Sequence, residues 1–106
     1  MTDRELLKLA AKAAGLNRGQ WDYYYVRNLG HMVTPSMMWN PLDEDADALR
    51  LAVKLGIQLM FNQPCVYAND LWENMEAAPN AATRRAIVRA AAIVGASIPV
   101  AIEKSL

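Results

Sequence analysis

Three stretches of this chain carry apolar residues at helical spacing, and the segments between them are broken too often by glycine and proline for any helix to run on. The chain is therefore confined to short helices separated by short extended pieces. The first stretch opens on Thr2-Asp3-Arg4-Glu5, the spacing at which a threonine hydroxyl and a glutamate carboxylate satisfy free N–H groups at a helix start. Leu6, Leu9, Ala10 and Ala13 then share a face, Lys8 and Lys12 lie on another, and Gly15 suits the left-handed position that stops a helix. The spacing predicts a helix over 3–14.

The second stretch starts where Asp43, Glu44 and Asp45 bring carboxylates to the positive end of a helix dipole. Leu42, Ala46, Leu49 and Val53 read as its buried stripe, and Gly56 ends it. The third stretch takes Asn80 as its cap. Its apolar stripe is Ile87, Ala91, Val94 and Ile98, with Arg84, Arg85 and Arg89 on its solvent side and Pro99 opposing any extension.

Extended structure is expected in the gaps. Trp21-Asp22-Tyr23-Tyr24-Tyr25-Val26 favours a strand over 22–27, with a second near 31–33 completing a hairpin through Asn28-Leu29-Gly30. Ile57 to Phe61 is a strand-forming run bounded by Asn62-Gln63-Pro64, and Val66-Tyr67-Ala68 can pair back against it. Residues 69–80 fit either a helical turn or a strand, and the tail from Val100 to Leu106 either docks or frays. The fold class is α+β: three helices packed on a small, mainly antiparallel sheet, in a single domain over 1–106.

Two stretches carry a resemblance. Trp39-Asn40-Pro41-Leu42-Asp43, running into Asp47-Ala48-Leu49-Arg50-Leu51-Ala52-Val53-Lys54-Leu55, and the segment Ala82-Thr83-Arg84-Arg85-Ala86-Ile87-Val88-Arg89-Ala90-Ala91-Ala92, together with the opening Thr2 to Leu7, resemble short uncharacterised phage and prophage proteins. Some of those are described as having an α-β-α sandwich domain. The resemblance covers roughly half the chain by pattern count. It implies a fold and a source, and transfers no catalytic residue. Residues 17–38 depart from the pattern. Pro41 biases Asn40 away from helix and Trp39 can cover the end of the following helix, so the Trp39-Asn40-Pro41 motif reads first as a structural clamp.

Composition narrows the function. Eleven basic and eleven acidic side chains leave no net positive field to condense on phosphate, so strong non-specific nucleic-acid binding is not expected. No apolar run approaches the roughly 18 residues that cross a bilayer, and the N-terminus alternates charge without an apolar signal region, so a cytoplasmic protein is expected. Cys65, the sole cysteine, excludes a disulfide or thiolate metal cluster within one chain.

His31 is the sole histidine, and Ser36, Ser97 and Ser105 lack a nucleophile-elbow signature, so no catalytic set is assigned and an enzyme is not expected. Asp43, Glu44, Asp45 and Asp47 lack the glycine and distant glutamate of an EF-hand loop; helix capping accounts for them better than a metal. Gly15, Gly19 and Gly30 are isolated, so no phosphate loop is present and no cofactor is expected. Arg84, Arg85 and Arg89 form a solvated face or grip a phosphate or acidic partner, and Lys8, Lys12 and Arg18 extend that patch if the first and last helices are neighbours.

Trp21, Tyr23, Tyr24 and Tyr25 cannot all point inward from one two-faced strand in so small a domain, so some are expected at an interface, with Met37 and Met38 adding adaptable contacts alongside Met32. The leading expectation is a non-enzymatic phage accessory protein that binds and inhibits a host protein, with an anti-CRISPR type of inhibitor as one instance. The alternatives are a nucleotide sponge using the three arginines, or a structural homo-oligomer. A homodimer is expected, because a small domain gains stability by burying spare apolar surface.

Overall fold

The computed structural model describes residues 1–16, 32–33 and 38–98. The strand expected over 22–27, His31, and the tail from 99 onward lie outside the described residues. In chain order the elements are α1 (Asp3–Ala13), β1 (Met32–Val33), β2 (Met38–Trp39), α2 (Asp45–Leu55), β3 (Leu59–Asn62), β4 (Cys65–Ala68), β5 (Leu71–Asn74) and α3 (Pro79–Ala96). Three helices and a three-stranded antiparallel sheet, ordered β3-β4-β5, form one globule, and β1 and β2 make a separate two-stranded ribbon. The α+β class read from the sequence is the class observed.

Both ends of α1 follow from local chemistry. The Thr2 hydroxyl accepts the Glu5 N–H at 3.1 Å, while Glu5 Oε1 accepts the Thr2 hydroxyl at 3.0 Å and the Thr2 N–H at 3.4 Å. The bond to Thr2 holds the Glu5 carboxyl below its ordinary value. A lowered carboxyl favours the folded state at neutral pH, and that contribution fades as pH falls through the lowered value. At the other end Gly15 (φ +78°) donates to Lys12 and Leu16 donates to Ala11, the paired bonds that close a helix around a left-handed residue. The end of α2 repeats this device: Gly56 (φ +65°) donates to Val53 and the buried Ile57 donates to Ala52. In each case the residue after glycine tucks an apolar side chain toward the core.

The helix α3 is the hub. It packs against α1, α2, β4 and β5. Ala86, Ile87, Val88, Ala90, Ala91, Ala92 and Gly95 are buried along it, more than the single expected stripe, because neighbours lie on several sides. Of that stripe Ile87 and Ala91 are buried, whereas Val94 is 36% exposed and Ile98 half-buried. Gly95 is the point of closest approach to α1: a Cβ there would overlap the backbone carbonyl of Leu9. The helix starts at Pro79, suited to the first turn because its missing N–H would go unpaired anyway, with Ala78 at the cap. Asn80 is thus not the cap expected of it; its amide donates to Asp45 at 3.1 Å.

The stripe expected on α2 is also corrected. Asp47, Ala48, Leu51 and Ala52 are buried, while Ala46 is exposed and Leu49 and Val53 are 58% and 74% exposed. The helix carries two apolar stripes, and the one containing a carboxylate faces inward because that carboxylate is satisfied there. Asp47 accepts the Asn40 N–H at 2.9 Å and pairs with Arg50 at 2.7 Å. Asn40 in turn accepts the Leu42 N–H on its side chain and the Asp43 and Glu44 N–H groups on its carbonyl, which turns the chain into α2. Trp39 and Pro41 are buried on either side. The clamp reading of Trp39-Asn40-Pro41 agrees with these contacts. Glu44, at the cap position, makes no side-chain capping bond.

The hairpin β3-β4 has the expected partners, with Leu59 opposite Ala68 and Phe61 opposite Val66. Residues 71–74, open between turn and strand in the sequence, form the third strand. The strand expected near 31–33 is found at Met32–Val33, and its described partner is Met38–Trp39.

Three stability outcomes follow. Gly95→Ala should destabilise the protein by roughly 1–3 kcal/mol, since α1 and α3 must move apart, read as a lower melting temperature by circular dichroism. Asp47→Ala should lose roughly 1–3 kcal/mol in urea unfolding by orphaning the buried Asn40 N–H. Arg50→Ala, at a side chain 65% exposed, should lose no more than about 1 kcal/mol.

Candidate functional site

The expected partner-binding residues Trp21, Tyr23, Tyr24, Tyr25 and Met37 lie outside the described residues, and Met38 is described only through its backbone in β2. Arg84, Arg85 and Arg89 are described, and they do not form one solvated face. Arg84, with a side chain only 18% exposed, donates to the Leu42 carbonyl at 2.7 Å and pairs with Asp45 at 2.6 Å. Arg85 pairs with Asp3 of α1 at 2.7 Å. Arg89 pairs with Glu73 of β5 at 2.5 Å and donates to the Trp72 carbonyl at 3.0 Å. Within two turns, α3 thus sends three guanidinium groups to three different elements, each to an acid of this same chain. The phosphate-gripping alternative gains no support from them. Of the extension residues, Lys12 reaches the Ile98 carbonyl at 3.3 Å.

The three aspartates of the Asp43 to Asp47 segment are likewise engaged. Asp43 accepts from the Asn40 amide, Asp45 from Arg84 and Asn80, and Asp47 from Asn40 and Arg50. Among the described residues no group of three or more His, Cys, Asp or Glu side chains is placed to hold a metal ion. Nor is any described helix long and apolar enough to cross a membrane.

Among the described residues, large exposed apolar side chains lie on the helices and at the N-terminus (Met1, Leu49, Val53, Ile93, Val94) and on the sheet (Met60, Phe61, Trp72). Strand side chains alternate between faces. Val66 and Ala68 are fully buried toward α3, which places Cys65 and Tyr67 on the outer face of β4. The register sets Met60 opposite Tyr67 and Tyr67 opposite Trp72, so three large side chains cross the outer face in one row. Met60 and Trp72 are each 56% exposed and Tyr67 is half-buried. No described helix packs on that face. On the inner side, where β3 runs past α3, Phe61 is 59% exposed and joins Leu59, Ala48, Leu49 and Ile87 around a cleft of about 400 Å³. The paired Asp45 and Arg84 lie at its polar end. A smaller hollow of about 240 Å³ lies between Met1, Leu9, Leu71 and Ile93.

Sequence reading did not select Met60, Tyr67, Phe61 or Trp72. One signal for them exists: Leu59-Met60-Phe61 is apolar at every position, and a strand of that kind at the edge of a sheet must show one of its faces to water. No family model, curated protein or solved structure matches this chain.

Arg84 and Arg85 separate by experiment. Arg84→Ala should cost roughly 1–2 kcal/mol, because a half-buried charged bond to a carbonyl is lost with the ion pair. Arg85→Ala should cost about 0.5 kcal/mol or less, its pair to Asp3 being largely exposed. Urea midpoints of the two variants give the comparison.

Proposed function

We propose that the protein acts by binding another protein rather than by catalysis, as a phage accessory factor that covers a functional surface of a host protein. The observation that carries this reading is the Met60-Tyr67-Trp72 row on the outer face of the sheet. Large apolar side chains held on a rigid sheet lose little entropy on docking, and tryptophan and tyrosine are the residues most often found at the energetic centre of interfaces. The phage-like segments around Trp39 and Ala82 support the accessory role. Components of bacterial antiviral defence, CRISPR complexes included, are the class of target to screen first.

The row is part of no hydrophobic core, so truncating it should spare the fold. Affinity-tagged protein recovered from bacterial lysate and read by native mass spectrometry should carry a host protein. Trp72→Ala should weaken that complex by roughly thirtyfold, about 2 kcal/mol, with the melting temperature unchanged. Full retention of the partner by Trp72→Ala would remove the sheet face from the interface. The same assay on Trp21→Ala, Tyr23→Ala and Tyr25→Ala then reports whether the aromatic run carries the contact.

A further inference from the structure

The two edges of the β3-β4-β5 sheet are finished differently. In an antiparallel pair, residues alternate between exchanging both backbone bonds with the neighbouring strand and turning them outward. Asn69 donates its N–H to the Gln58 carbonyl at 2.8 Å, and Met60 opposite Tyr67 and Asn62 opposite Cys65 follow in the same phase. Leu59 and Phe61 therefore turn their N–H and C=O groups to the open edge of β3. At the other edge, Arg89 occupies the Trp72 carbonyl and Glu73 adds a carboxylate beside it. Among the described residues no such guard stands on β3. From Gln58 to Ala68 there is no Asp, Glu, Lys or Arg, and unguarded apolar edges accept another strand.

We propose that β3 pairs antiparallel with β3 of a second copy of this chain, Met60 opposite the second copy's Met60 and Leu59 opposite its Phe61, doubling the three-stranded sheet. In that register Leu59 and Phe61 exchange backbone bonds reciprocally, so every outward group of both strands finds a partner. The two-fold axis passes between the Met60 side chains on the outer face. On the inner face each Phe61 ring comes beside the other copy's Leu59, at the mouth of the 400 Å³ cleft that Leu59, Leu49, Ala48 and Ile87 line.

Charge favours a second copy over an acidic or basic peptide. The strand is uncharged, the chain's eleven basic and eleven acidic groups balance, and Asp45 and Arg84 at the cleft already neutralise each other. Area sets the strength. The exposed parts of Leu49, Met60 and Phe61 amount to on the order of a few hundred Å² per copy, below the roughly 800 Å² per partner of a standard interface, so the pair is weak and reversible. This dimer does not rest on the host-protein reading, and Trp72→Ala leaves it in place.

Sedimentation velocity of the full chain, diluted from roughly 1 mM to 1 μM, should show twice the chain mass at the top of the series and the single mass at the bottom. Met60→Lys and Met60→Glu each set like charges against each other across the axis, at a position that is exposed and off the core, and each should weaken self-association at least about tenfold while keeping the wild-type circular dichroism spectrum. An equimolar mixture of the two should recover the doubled mass, because the opposed charges then attract. A wild-type chain that stays monomeric at about 1 mM overturns the proposal. So does Met60→Lys that dimerises as tightly as wild type, or a mixture that stays monomeric.

Discussion

The close approach of α1 and α3 is the constraint on which the other contacts depend. Helices approach closely only where side chains are small, and here Ala10, Ala11 and Ala14 of the first helical segment are buried together with Ala86, Ala90, Ala91 and Gly95 of α3. With Gly95 against the Leu9 carbonyl, the axis of α3 is fixed, and so is the direction in which each of its other sides points. One side receives α2, another receives β4 and β5. A domain this small buries a limited share of its surface, so a single central helix touching every layer is an efficient way to make one core serve all of them.

The polar groups around α3 follow from the same placement. Its arginines lie where the small-residue faces give way to the rim, and each reaches the nearest acid of the neighbouring element: Asp45 of α2, Asp3 of α1, Glu73 of β5. Exposed ion pairs add little stability, but they select one arrangement of elements over others that would bury the same alanines. Arg84 does more, since it also satisfies the Leu42 carbonyl in the turn that Asn40 and Asp47 build. The Trp39 segment and α3 are thereby joined through a bond 42 residues apart in sequence.

Local signals in the sequence predicted local structure well. The Thr2–Glu5 box, the helix stops at Gly15 and Gly56 and the return of β4 on β3 all depend on residues within about a turn or a hairpin of each other, so spacing was enough to read them. What spacing could not reveal was which of two apolar stripes on α2 faces inward. That was decided by Asp47 finding the Asn40 N–H across the turn, a contact invisible to a hydropathy pattern that scores aspartate as outward. Asn80 was misread for a similar reason: its neighbour Pro79 already starts the helix, which freed the amide to meet Asp45. The arginines read as solvated because the acids they meet lie on other elements. Of the candidate site, the aromatic run at 21–25 was visible in composition, whereas the Met60-Tyr67-Trp72 row needed a strand register that no sequence pattern supplied.

The core and the exposed outer face of the sheet are separated in this architecture. The buried set centres on alanines, Leu7, Val66 and Val88, while Met60, Phe61 and Trp72, among the largest apolar side chains of the sheet, are left outside it. Among the described residues no helix covers Met60 and Trp72, although burying them would enlarge the core. The sheet instead holds them by backbone pairing, with Val66 and Ala68 anchoring the middle strand from beneath. Changing the outward side chains of such a face alters cross-strand pairs worth roughly 0.2–1 kcal/mol each and leaves the buried Val66 and Ala68 in place. A surface of that kind is free to follow a partner while α3 and its small residues keep the fold constant.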